Sequence, residues 1–231
     1  MTEHTDKHNI LNEKISGYRK GHSITSILMR FRDDIIQAMK KDELTMAIYA
    51  DFSKAFDTVD YLKILEKWHE MKFSNHFLQW VLGYVNGGRQ FVQVNDKTSE
   101  LLDTKFGVPQ GFILGPVLLN LYVNDLDEVH DCTAFQYADD TTPITHCFPL
   151  KLDAATAESN NTMRTLEDWS TNSNLLLNEK KTKQMIITTD QMSRQYKFDN
   201  QTPEIKASGE VLKRVQSFKF LGMWVRGAML I

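Results

Sequence analysis

Three aspartates hold most of the chemical potential of this chain. Asp51 follows a short apolar run, and Asp139 and Asp140 stand side by side between two further apolar arms. Adjacent carboxylates repel one another and are costly to bury, so three of them brought to one place ask for a divalent cation. Magnesium suits such a set, with manganese as a substitute, because it takes hard oxygen ligands and completes its shell with water and substrate phosphates. Two such ions about 4 Å apart can activate a hydroxyl and stabilise a leaving pyrophosphate in an in-line transfer. A single aspartate is more often a turn or cap residue, so the argument rests on the elements that would bring the three together.

Those elements can be read from apolar spacing. Ile24, Ile27, Leu28, Phe31, Ile35 and Met39 recur at helical intervals behind Ser23, which is placed to cap the first turn. The run LTMAIYA at 44–50 is too short for a second long helix and predicts a buried strand that ends at Asp51. Asp60 can cap a helix whose Tyr61, Ile64, Leu65, Trp68 and Met71 share a face, and Phe77, Trp80, Val81 and Tyr84 predict another, stopped by Gly87 and Gly88. RQFVQV and ELLDTKFGV flank the polar turn NDKTS as a hairpin, and 113–126 reads as a helix. AFQYADDTTPI predicts a second hairpin with Asp139 and Asp140 at its tip. An amphipathic helix over 152–169, a strand at 185–189, a polar loop around 188–208 and a last strand from Ser217 complete one mixed α+β unit. Asp57 and Asp60 read as turn and cap residues, decoys for a metal site.

The 231 residues are 42% hydrophobic and 25% charged, which excludes disordered and fibrous classes. A net charge of −3 and a pI near 6.2 carry no basic excess, which counts mildly against wide phosphate contact by the chain as a whole. Cys132 and Cys147 form no CxxC pattern, so neither a disulfide framework nor a zinc site is expected. The start MTEHTDKHNI has no apolar signal core, and no run approaches the ~18 apolar residues of a membrane span. An intracellular protein is expected, with nucleus and cytoplasm both open.

Six segments, in order, resemble the reverse transcriptase family. ISGYRKGHSI at 15–24 resembles the segment before the first catalytic block, AIYADFSKAFDTVDY at 47–61 resembles block A, and GVPQGFILGP at 107–116 block B. FQYADDT at 135–141 is similar to block C, LLLNEKKTK at 175–183 to block D, and FKFLG at 218–222 to block E. The wording DFSKAFDTVD, GRQ and KTK is most similar to the enzymes of non-LTR retrotransposons, LINE-type and jockey-like. The resemblance implies a polymerase palm with partial fingers and no thumb. It places the palm at 42–60 and 109–231, with 1–41 and about 61–108 as partial fingers and connecting elements.

It further implies RNA-templated DNA synthesis from dNTPs on a DNA primer, with two Mg²⁺ ions. Asp51, Asp139 and Asp140 would be the ligands, assisted by the backbone carbonyl of Phe52. Phe56 would be a steric gate against a ribose 2′-hydroxyl, favouring dNTPs. Gly107, Pro109 and Gly111 would let backbone approach template and nucleotide, and Gln110 would offer hydrogen bonds. Lys181 or Lys183 would stand near the triphosphate, and Arg19 and Lys20 near template or phosphate.

The family pattern is not complete. Phe112 stands where block B commonly has serine, upstream fingers and a thumb are expected to be missing, and no endonuclease or RNase H segment is expected. A second reading is therefore a catalytically silent retroelement remnant or a nucleic-acid-binding module. A third, an RNA-dependent RNA polymerase, shares palm and metals but is disfavoured by Phe56 and the YADD wording.

Overall fold

The computed structural model describes residues 5, 8, 10–12, 15–19, 21–108, 114–129 and 132–229. In chain order the main elements are α1 (Ile24–Lys40), β1 (Leu44–Tyr49), α2 (Tyr61–Glu70), α3 (Asn75–Val85), α4 (Leu114–Tyr122), β2 (Thr133–Tyr137) and β3 (Asp140–Cys147). They continue with α5 (Leu152–Asn172), β4 (Lys183–Thr189), α6 (Asp190–Tyr196), β5 (Lys213–Arg214), β6 (Ser217–Phe220), β7 (Met223–Arg226) and β8 (Ala228–Met229). Ser23 caps α1 in a reciprocal capping box with Ser26, and Asp60 caps α2 by accepting from the Leu62 and Lys63 amides. Both caps were legible in the sequence.

A sheet in the order β5–β4–β1–β3–β2 forms the centre, with β8 also paired to β4. β1 runs antiparallel to both β3 and β4, and all six of its residues are buried. Alternation sends Leu44, Met46 and Ile48 to one face, where they join a core with α2, α3, α4 and α5. Ala47 and Tyr49 point to the other face and join Ile27, Phe31 and Ile35 of α1. Helices thus cover both faces of the sheet. The fold is a mixed α+β palm, antiparallel at its centre; β5 and β8 add to β4 in parallel.

Two expectations are corrected. The polar stretch predicted as a loop contains α6, capped by Thr189, whose hydroxyl accepts from the Met192 amide; Met192 and Ser193 are its buried residues. The single last strand is a hairpin, with β6 and β7 joined at Leu221–Gly222, both at positive φ. The arm at 89–103 is a hairpin as expected, but it stands clear of the core: Phe91, Val92, Val94, Leu101 and Leu102 are all exposed.

A half-buried cation ties the helical layer together. Lys67 of α2 donates to the Tyr122 carbonyl at 2.8 Å, Asp125 at 2.7 Å and the Ser173 hydroxyl at 3.1 Å. It also lies 4.9 Å and 4.8 Å from the ring centres of Tyr122 and Trp169. Burial pulls its pKa down, and the partnership with Asp125 opposes that shift.

Candidate active site

The β1–β3 register assembles the acidic cluster. Leu44 pairs with Cys147, Ala47 with Ile144, and the same register continues through the bridge between Ala50 and Thr141. One step further, Asp51 faces Asp140 across the strands. The β2–β3 hairpin turns through Ala138 and Asp139 between the paired Tyr137 and Asp140, with Ala138 at φ 54°. All three carboxylates therefore come to one end of the sheet, from two elements distant in sequence.

Asp51 is held by backbone on either side. Its carbonyl accepts from the Asn178 amide at 2.7 Å, its amide donates to the Thr182 hydroxyl at 3.3 Å, and the next turn is fixed by Ser53 N–H donating to the Leu176 carbonyl at 2.8 Å. Phe52 is buried with its ring edge-on to Trp169 of α5, 5.7 Å between centres. The strap at 175–178 that follows α5 thus clamps the aspartate that ends β1. Thr182, Asn178 and Leu176 were not singled out from sequence; only the pairing of the strap with Asp51–Ser53 reveals their part.

Electrostatics bear the mark of this crowding. Burial raises the Asp140 carboxyl, the charges of Asp139 and Asp51 add to it, and the group is pushed up to about 6. Asp140 is nonetheless exposed along one side, so desolvation is only partial and the neighbouring charges act with it. Burial also raises Asp139, with the charge of Asp51 adding and a hydrogen bond from its own backbone opposing. Oδ2 of Asp51 is shielded from water and has no hydrogen-bond partner. A buried carboxylate oxygen without a hydrogen bond, facing two protonation-prone neighbours, fits a hard divalent cation. Among the described residues, no three acidic, histidine or cysteine side chains are drawn together closely enough to hold a metal as they stand.

A cleft of about 420 Å³ opens beside the acids, between Asp51, Asp140, Lys181, Lys183 and the β6 residues Phe218 and Lys219. Lys181 reaches Oδ2 of Asp51 at 3.8 Å, within ion-pair range but beyond a hydrogen bond. The Lys183 ammonium is bonded to the Lys180 carbonyl. Tyr49, two residues before Asp51, stacks on Phe218 with 3.9 Å between centres and 14° between planes, which fixes the β6–β7 hairpin against the sheet.

Phe56 is half-buried on the short helical turn Ala55–Thr58. The start of the block B loop is pinned to that turn: Val108 N–H donates to the Phe56 carbonyl at 2.7 Å, and Gly107 N–H to the Val59 carbonyl at 2.8 Å. Gly107 has φ +87°, and a Cβ there would lie 2.8 Å from the Asp57 carbonyl oxygen, so only glycine fits. Pro109, Gln110, Gly111 and Phe112 lie outside the described residues, as does Lys20. Arg19 donates to the Asn12 carbonyl at 2.8 Å, a bond within the chain. Asp57 is exposed within the turn and Asp60 is a helix cap.

Comparison with known proteins follows the same lines. The family model described as reverse transcriptase (RNA-dependent DNA polymerase) matches residues 1–225. The chain is 25% identical over 218 residues to the RNA-directed DNA polymerase from mobile element jockey of Drosophila melanogaster, covering 90% of this chain and 22% of that protein. It is 31% identical over 117 residues to the probable RNA-directed DNA polymerase from transposon BS of Drosophila melanogaster, covering 51% of this chain and 13% of that one. The chain thus spans about a fifth or less of the length of these curated relatives. Among solved structures, telomerase from Candida albicans in complex with the TWJ fragment of telomeric RNA superposes with a TM-score of 0.61 at 14% identity, over 98% of this chain and 36% of that one. Apo telomerase from Candida tropicalis, truncated from the C-terminal domain, gives 0.58 at 13%, over 97% and 43%. At such identity the likeness is one of fold.

Proposed function

Because this chain belongs to the reverse transcriptase (RNA-dependent DNA polymerase) family, we propose that it is the palm of an RNA-directed DNA polymerase of a non-LTR retrotransposon, joining dNTPs to a DNA primer on an RNA template. Members of this family work with divalent metal ions. The observation that carries the proposal is the β1–β3 register, which sets Asp51 across from Asp140 at the mouth of a cleft lined by lysines.

Asp51, Asp139 and Asp140 would hold two Mg²⁺ ions, with the carbonyl of Phe52 as a further ligand. Bound there, the metal would supply Lewis-acid chemistry that acidifies the primer 3′-hydroxyl and offsets charge on the departing pyrophosphate. Phe56 closes the nucleotide site on the sugar side and excludes a 2′-hydroxyl by shape. Gly107 and Val108 are bonded to the backbone of the Phe56 turn, and Gln110 and Gly111 would meet the nucleotide. Lys181 neutralises the triphosphate from the cleft, and Lys183, bonded to the Lys180 carbonyl, has at most a lesser share in this.

Primer extension on an RNA template with dNTPs and Mg²⁺ tests this. The parent chain should extend and Asp139→Asn should not, with both equally folded. Equal extension by the two would sink the mechanism, and extension by neither would favour a silent remnant or binding module.

A further inference from the structure

The segment 15–19 runs along the outer edge of the sheet. Ile15 bridges Gln136 of β2 in parallel sense, and the Ser16 amide donates to the Gln136 carbonyl at 3.0 Å. Asn120 of α4, fully buried, donates its side-chain amide to the Gly17 carbonyl. At Gly17 this strap comes so close to the acidic turn that an added Cβ would lie 2.5 Å from the Ala138 nitrogen. The strap is therefore locked to the turn that carries Asp139.

What the lock presents is an aromatic ring. Tyr18 has φ 51°, a conformation that a bulky side chain adopts only when its surroundings enforce it, and such strain concentrates at functional sites. Its ring is not stored in the core: Tyr18 is 55% exposed. It stands 6.2 Å from the ring of Tyr137, tilted by 39°, and Tyr137 is the residue paired with Asp140. A residue serving only to fill space would be turned inward. Here a strained backbone, a glycine-only contact and a buried amide hold an aromatic surface in water beside the acids.

We propose that Tyr18 is a stacking platform for the 3′-terminal base of the primer strand. This rests on the polymerase reading, since the terminal nucleotide, whose sugar bears the reactive hydroxyl, must lie nearest the carboxylates. Stacking on a ring tolerates any base, which suits a site that must accept every newly added nucleotide. The phenol is not needed for it, so phenylalanine should serve as well.

The test uses a primer with 5-iodouracil as its terminal base, annealed to an RNA template, because photoexcited iodouracil couples to an aromatic ring stacked upon it. Irradiation with the parent chain should place the adduct on Tyr18, and Tyr18→Phe should keep it at that position. Tyr18→Ser and Tyr18→Leu should lose it and bind primer–template roughly 5- to 150-fold more weakly. Their dependence of affinity on salt should be unchanged, because no phosphate contact is removed. The leucine variant fills the same space without stacking, and comparing its unfolding midpoint with the parent's separates stacking from support of the fold. An adduct elsewhere, or parent-like affinity in the leucine variant, would overturn the proposal. Extension by the parent without a Tyr18 adduct sinks stacking alone; an adduct without extension sinks the active polymerase and upholds stacking; no binding at all overturns both.

Discussion

The ammonium of Lys181 stands 3.8 Å from Oδ2 of Asp51, whereas that of Lys183, two residues on, is bonded to the Lys180 carbonyl. The two lysines of one short basic run are thus not equivalent. Lys181 precedes β4 and reaches over the carboxylate, while Lys183 opens the strand opposite Tyr49. Because Lys181 is itself largely in solvent, its contact contributes little to stability and would act on substrate charge.

Lys181→Ala should accordingly lower the rate of nucleotide addition by about 100-fold, the low end of the scale for losing one preorganised donor because Lys181 stands in solvent. Lys183→Ala should cost no more than a few-fold. Single-turnover extension at saturating dNTP reads the difference, and equal losses for both variants would contradict the assignment.

Metal held by these carboxylates, as proposed, would bind in a pH-dependent way. Asp140 is pushed up to about 6 in the folded chain, above its ordinary 3.8, so the folded state binds a proton more tightly than the unfolded one. Without metal, stability should therefore fall as pH rises from about 4 to about 6. Mg²⁺ must displace that proton, so its affinity should weaken as pH drops below about 6 and level off above. Asp140→Asn should stabilise the metal-free chain at pH 7 by about 1 kcal/mol, less than the full linkage value because solvent screens the group. Denaturant unfolding at pH 4 and pH 7, with and without Mg²⁺, checks both signs.

Gly107→Ala combines a positive φ with a collision against the Asp57 backbone. It should destabilise the fold by roughly 2 to 4 kcal/mol and separate the Phe56 turn from the block B loop. Urea unfolding measures the first effect. Loss of discrimination between dNTPs and NTPs, in whatever folded fraction remains, measures the second.

Lys67→Met leaves Asp125 and the Tyr122 carbonyl without their cation, which should cost about 2 kcal/mol, the scale of hydrogen bonds to a charged, partly buried group. Lys63, paired with Glu66 on the exposed side of the same helix, gives the contrast. Lys63→Met should change stability by no more than about 0.5 kcal/mol, and a similar loss in both would deny Lys67 its special place.

Much of this was legible in the sequence, for identifiable reasons. The caps Ser23 and Asp60, the buried run before Asp51 and the hairpin around Asp139–Asp140 all depend on local chemistry, so local reading found them. The helix Asp190–Tyr196 escaped because it buries little besides Met192 and Ser193, too few positions to mark a period. The β6–β7 hairpin was hidden because its turn, Leu221–Gly222, sits inside an apolar run. The clamp on Asp51 by Asn178 and Thr182, the environment of Lys67 and the exposure of Tyr18 join segments far apart in the chain. No window along the sequence contains them.

The strand that ends in Asp51 is the middle of the sheet, yet it leaves the ribosome before either of its neighbours. Its partners, Asp140–Cys147 and Lys183–Thr189, are synthesised only after more than half of the chain. Until then a strand that is apolar but for Thr45 has two open edges and nothing to close them, the condition under which nascent chains fold slowly and associate with one another. The acids are thus brought together late in biosynthesis, by closing long loops, and a chain interrupted before β4 would hold the β1–β3 pairing that gathers them while leaving the other edge of β1 bare.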